Sequence, residues 1–102
     1  MSVTVVRYRV HEQHAEANEA LVAEVYAALA AAAPPGFRYA TLVLEDGVSF
    51  VHVAVLTGEQ AAPLTGLPAF RRFLEGLAER AQEPPEVRPA RVVGAYGWGA
   101  PD

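Results

Sequence analysis

At 102 residues, 52% apolar and 20% charged, the chain has the size and balance of one ordinary globular domain rather than of a disordered segment. Its net charge of −4 and the lack of any basic run argue against a nucleic-acid partner. It has no cysteine, so a disulfide framework and a thiolate metal site are both excluded, and no apolar run is long enough to span a bilayer.

The first residues lack the basic lead and apolar core of a signal peptide, which points to a cytoplasmic protein. Val3–Val10, rich in β-branched residues, predicts a strand with Val3, Val5, Arg7 and Arg9 on one face and Thr4, Val6, Tyr8 and Val10 on the other. From about Gln13 to Ala33 the apolar period becomes helical, with Leu21, Val22, Val25, Leu29 and Ala32 in one stripe and Pro34-Pro35-Gly36 as the stop. Phe37–Leu44 and Val48–Leu56 flank Glu45-Asp46-Gly47, a strong hairpin signal. Pro68 opens a second helix, which carries Phe70, Phe73, Leu74, Leu77 and Ala81 as its stripe and ends at Pro84-Pro85. Val87–Tyr96 supplies a last strand. These elements predict a single α/β domain over residues 1–97, with 98–102 as a C-terminal tail.

The order βαββαβ is the ferredoxin-like, α+β arrangement with a four-stranded antiparallel sheet. Both crossovers are right-handed, which puts both helices on one face of that sheet. A two-residue turn at Asp46-Gly47 sets Val43 opposite Phe50, Thr41 opposite His52, and Tyr39 opposite Ala54. One face then carries Tyr39, Thr41, Val43, Phe50, His52 and Ala54; the other carries Ala40, Leu42, Leu44, Val51, Val53 and Val55. The run Phe50–Leu56 is apolar on both sides, as in strands covered on both faces. A second copy of the chain is the simplest cover for the face without helices, which predicts a homodimer.

Several segments resemble the antibiotic-biosynthesis-monooxygenase-like branch of the dimeric α/β-barrel superfamily. They are Tyr39-Ala40-Thr41-Leu42, Phe50-Val51-His52-Val53, Pro63-Leu64 and the helix opening Leu67-Pro68-Ala69-Phe70-Arg71-Arg72-Phe73. The resemblance runs from Val3 to about Tyr96. It implies two sheets facing each other across a barrel, and in each subunit a cavity that takes small aromatic or polyketide-like molecules or haem. Characterised members use an Asn with a Trp near the substrate; the only Asn here is Asn18, early in the first helix, and the only Trp is Trp98, in the tail. The pattern places neither on those catalytic positions.

His52 is the leading candidate for chemistry, because a histidine inside an apolar strand can shuttle a proton or orient a ligand. Its ordinary alternative is a core imidazole bonded to Thr41 or a tyrosine, with metal ligation a distant third. Tyr39 joins it as a candidate catalytic residue, and Tyr8, Thr41, Phe50, Phe70 and Phe73 are candidate substrate-binding residues. Their own alternatives are hydroxyls at the sheet rim and rings in the core. His11 and His14 share a helix entry but lack further ligands, so no metal is expected. Arg7, Arg9 and Arg91 suit an anion or, more simply, Glu45, Glu86 or a partner's carboxylate. No hydrolase, nucleotide-binding or paired-carboxylate motif is present. The expectation is a small-molecule-binding barrel with monooxygenase-like activity on an aromatic or polyketide-like substrate and no cofactor. The alternatives are a non-catalytic binding or assembly protein that uses its barrel face to dimerise, and a haem-handling protein.

Overall fold

The computed structural model describes residues 2–57 and 63–97; the tail with Trp98 lies outside them. Strands form where β-branched and aromatic residues concentrate: β1 (Ser2–Arg9), β2 (Phe37–Val43), β3 (Ser49–Leu56) and β4 (Glu86–Ala90). They make one antiparallel sheet in the order β2-β3-β1-β4, the ferredoxin-like order. A short 3₁₀ turn at Glu12–His14 leads into α1 (Ala15–Ala32). The second helical segment is α2 (Pro68–Glu75) followed, after a break at Gly76, by α3 (Leu77–Arg80).

The β2–β3 register is the expected one, with Val43 opposite Phe50, Thr41 opposite His52 and Tyr39 opposite Ala54. The connection is nevertheless longer than a two-residue turn. Leu44 N–H bonds Ser49 O at 2.9 Å, and Gly47 N–H bonds Leu44 O at 2.9 Å with Gly47 at φ +77°. The loop is therefore residues 45–48. Because it stays centred on Asp46-Gly47, the pairing is preserved. The Asp46 carboxylate accepts bonds from the Val48 and Ser49 amides at 2.9 Å each, and from Ser49 Oγ at 2.6 Å. Those donors hold its pKa below the usual carboxylate value.

The last strand stops at Ala90, well short of Tyr96. Ala90 pairs with Val3, and β1 begins only one residue earlier, so the ladder has no partner to extend along. The second helix is likewise interrupted at Gly76 rather than running unbroken to Ala81.

Both long helices lie on the sheet face that bears Tyr8, Phe50 and His52. Val25 from α1 and Phe73 from α2 pack there with Tyr8, Val10, Phe50 and Leu77 in one core. The opposite face carries Val3, Val5, Ala40, Leu42, Val51, Val53 and Val55. Of these Val3 and Val55 are buried within the chain, whereas Leu42 is 55% exposed. Arg7 at the end of that face pairs with Glu86 of β4 at 2.8 Å, as its sequence position suggested; both groups are exposed, so the pair adds little stability. Among the described residues no helix is long and apolar enough to cross a membrane.

Candidate functional site

Alternation along β1, β2 and β3 sends Tyr8, Tyr39 and His52 to the same side, beneath the helices, where a cavity of about 490 Å³ lies. Phe70, Phe73 and Leu77 close it from above, and Thr4, Val6 and Ala54 form part of its floor. The half-exposed Leu74 on α2 and Val87 on β4 mark its opening. No Asp, Glu, Lys or Arg is among the described residues that line it. The volume falls in the range of small-molecule pockets, roughly 300–1,000 Å³.

Five of the seven candidate residues line this space: Tyr8, Tyr39, His52, Phe70 and Phe73. Phe50 and Thr41 do not. Phe50 is 2% exposed and stacks flat against Tyr8, with centroids 5.6 Å apart, so it supports the phenol from behind instead of touching a ligand. Thr41 sits behind His52, its hydroxyl 2.9 Å from Nδ1 and 2.8 Å from Tyr26 Oη.

His52 is only 4% exposed, and both ring nitrogens are engaged. Nε2 lies 2.8 Å from Tyr8 Oη, and Nδ1 lies 2.9 Å from both Tyr39 Oη and Thr41 Oγ1. The core-imidazole and pocket readings of this residue are therefore compatible: it is a bonded core residue whose ring edge reaches a cavity. Burial pushes its pKa down to about 4, so the ring is neutral at physiological pH. Burial likewise pushes Tyr8 up to about 12 and raises Tyr39 and Tyr26, keeping all three phenols protonated.

The network extends to Asn18, which the sequence placed at no site, and to Arg80, which sequence reasoning did not single out. Asn18 is fully buried, and its Nδ2 donates to Tyr8 Oη at 3.0 Å. Arg80, 7% exposed, donates from Nε to Asn18 Oδ1 at 3.0 Å and from Nη2 to Phe73 O at 2.7 Å, and its guanidinium lies 5.3 Å from the Phe73 ring centre. Arg80, Asn18, Tyr8, His52, Thr41 and Tyr26 thus form one chain of bonds running from α3 through α1 and the sheet. No buried polar side-chain atom among the described residues lacks a partner.

A signal for Asn18 was present in its spacing. It stands four residues before Val22 and seven before Val25, on the inward stripe of α1, where a polar residue needs a buried partner. Arg80 stands three residues after Leu77 and seven after Phe73, on the inward stripe of the second helix.

Gly76 explains how the guanidinium fits. A Cβ at this position would lie 2.7 Å from Arg80 Nη1, and that group is held by Asn18 and the Phe73 carbonyl. Gly76→Ala is expected to lower stability by about 1–3 kcal/mol despite alanine's better helix propensity, through displacement of this buried group. Urea denaturation checks it; a stabilised variant would contradict the packing described.

The remaining charged candidates contribute little here. His11 and His14 face each other at 6.2 Å between ring centres, and no group of three or more potential metal ligands occurs among the described residues.

A candidate antibiotic biosynthesis monooxygenase from Nitrosomonas europaea superposes with a TM-score of 0.76 at 20% identity, over 92% of this chain and 100% of that one. SnoaB from Streptomyces nogalater, a cofactor-independent oxygenase, gives 0.63 at 26% identity, over 90% and 94%. The chain is built like the antibiotic biosynthesis monooxygenase-like proteins. The likeness spans nearly the whole described domain, helices and sheet alike. No family model matches the sequence, and no curated protein does.

Proposed function

We propose that this protein is a cytoplasmic homodimer that takes a neutral polycyclic phenol into the cavity under its helices and oxidises it with molecular oxygen, without a bound cofactor. The observation that carries this reading is the cavity itself: about 490 Å³, apolar, without a charged side chain among its described lining residues, and with the Tyr39 and His52 polar groups converging on one wall. An assembly protein that used its barrel face only for dimerisation would have no use for such a space. The name cofactor-independent oxygenase carried by the Streptomyces neighbour gives the reading its reaction class.

The chemistry balances as R₂CH₂ + O₂ → R₂C=O + H₂O. The substrate's activated carbon gives a proton to water at the cavity mouth, the resulting carbanion forms a C–O bond to oxygen, and the peroxide anion takes a proton back to give a hydroperoxide. Loss of the second C–H proton with cleavage of the O–O bond then releases water. All four electrons come from the substrate, so none is required from the protein. The protein's part is a dry site and a hydrogen bond to the substrate's oxygen as charge develops there, the electrostatic form of catalysis. Tyr39 is the group we assign to that bond, with His52 holding it from behind.

Haem does not fit the same space. Both His52 nitrogens are already bonded, and no basic side chain among the described lining residues stands ready for its propionates.

Oxygen uptake with a three-ring phenol bearing an activated CH₂, and no added flavin or metal, tests this reading. Turnover is expected in the wild type and a fall of roughly 100-fold or more in Tyr39→Phe. No uptake in the wild type, or equal rates in the two proteins, would contradict it.

The dimer uses the other sheet face. Ala40 and Leu42 on it are exposed, and Val5, Val51 and Val53 are partly so, a patch suited to a second copy in a two-fold arrangement. Leu42→Glu adds a charge at an exposed position of this patch. Light scattering is expected to show twice the chain mass for the wild type and a folded single chain for the variant.

A further inference from the structure

The bonds around His52 have a direction. A guanidinium carries donors and no acceptor, so the Asn18 atom facing Arg80 Nε at 3.0 Å is the carbonyl Oδ1. The atom facing Tyr8 Oη at 3.0 Å is then the amide Nδ2, another donor. The Tyr8 oxygen accepts that bond, and its own proton is turned to His52 Nε2, 2.8 Å away. Nε2 must therefore accept, which leaves the single proton of the neutral ring on Nδ1. That N–H lies 2.9 Å from both Tyr39 Oη and Thr41 Oγ1. With the imidazole as donor, the Tyr39 hydroxyl proton is not needed by His52 and is shared between the Thr41 oxygen, to which Tyr39 also bonds, and the cavity that Tyr39 lines.

The geometry points to Arg80 and Asn18 as positioning residues that set the polarity of the whole relay, lock His52 as its Nδ1–H tautomer, and so make Tyr39 a hydrogen-bond donor toward the cavity. Neither residue lines the cavity. They act through Tyr8 and His52. The opposite polarity would put a proton on Nε2 beside a Tyr8 oxygen that already accepts from Asn18, stranding the buried Tyr8 proton. It would also use the Tyr39 or Thr41 proton on Nδ1, leaving a ligand fewer donors. The relay as built selects a ligand that presents an acceptor to Tyr39, a carbonyl or phenolic oxygen.

The ligand-facing half of this inference rests on the small-molecule reading above, whereas the tautomer half does not. Nitrogen NMR of ¹⁵N-histidine-labelled protein without ligand separates them. For the wild type, His52 Nε2 is expected at the position of an unprotonated, pyridine-like nitrogen and Nδ1 at that of a protonated one. Asn18→Asp keeps the shape but replaces the donor with an acceptor. The Tyr8 proton then turns to the new carboxylate, and the His52 proton is expected to move to Nε2. An unchanged tautomer in folded Asn18→Asp would overturn the inference. So would a protonated Nε2 in the wild type, which decides the matter even if the variant does not fold. Loss of ligand binding with the tautomer as stated would instead count against the proposed function alone.

Discussion

Replacing Asn18 by leucine is expected to destabilise the protein by about 3–5 kcal/mol, among the largest effects of any single substitution. The side chain is fully buried and satisfies two partners at once, the Arg80 guanidinium and the Tyr8 hydroxyl. Leucine has the same branching but bulkier methyl groups, so some overpacking adds to the polar cost: a buried cation loses an acceptor and a buried phenol loses a donor. For a domain of this size, that lowers Tm by roughly 12–30 °C. Adding Arg80→Met removes the charge left without its carbonyl. The double variant is then expected to be more stable than the sum of the single effects by about 1 kcal/mol or more. A double-mutant cycle in urea reads this directly. Strict additivity would mean that the two residues do not act as one unit.

Acid is expected to weaken the fold through His52. In the unfolded chain this imidazole protonates near 6.5, whereas in the folded protein it does so only near 4. Between those values the unfolded state binds more protons, so stability falls as pH drops from 6.5 to 4 and levels off below. The full difference is about 3 kcal/mol. Asp46 and Glu86, both with lowered pKa values, lose stabilising bonds over a lower range as well. His52→Gln retains those carboxylates and removes the imidazole, so the comparison isolates the histidine. The wild type is expected to lose about 3 kcal/mol more than the variant between pH 7 and pH 4. Equal losses would mean that His52 titrates normally and is not held neutral by burial. At the alkaline end Tyr8 has the opposite sign. Its pKa rises from 10 to about 12, so its contribution is present below pH 10 and is lost as pH climbs through 12.

Much of this arrangement could be read from the chain. The switch from period 2 to period 3.6 and back marked each element, and Asp46-Gly47 centred the hairpin. That centring put Tyr39, Thr41 and His52 on one face, even though the loop proved four residues long. Other features depend on distant parts of the chain. The end of β4 is set by where β1 begins, not by the residues after Ala90. Phe50 was placed on the correct face, but whether a ring on that face meets ligand or lies beneath Tyr8 depends on its depth in the core. The pairing of Asn18 with Arg80 joins residues 62 apart, and each taken alone looks like an ordinary interruption of an apolar stripe. Only the fold shows that the two interruptions meet.

The claim that joins these observations is that the cavity beside Tyr39 and His52 is where a neutral aromatic ligand binds. A crystal structure of the protein with a three-ring hydroxy-aromatic compound tests it most directly. The rings are expected between Phe70, Phe73 and the Tyr8–His52 wall, with a ligand oxygen about 3 Å from Tyr39 Oη. A ligand bound outside this cavity, or lying within it with Tyr39 Oη making no bond to it, would contradict the account.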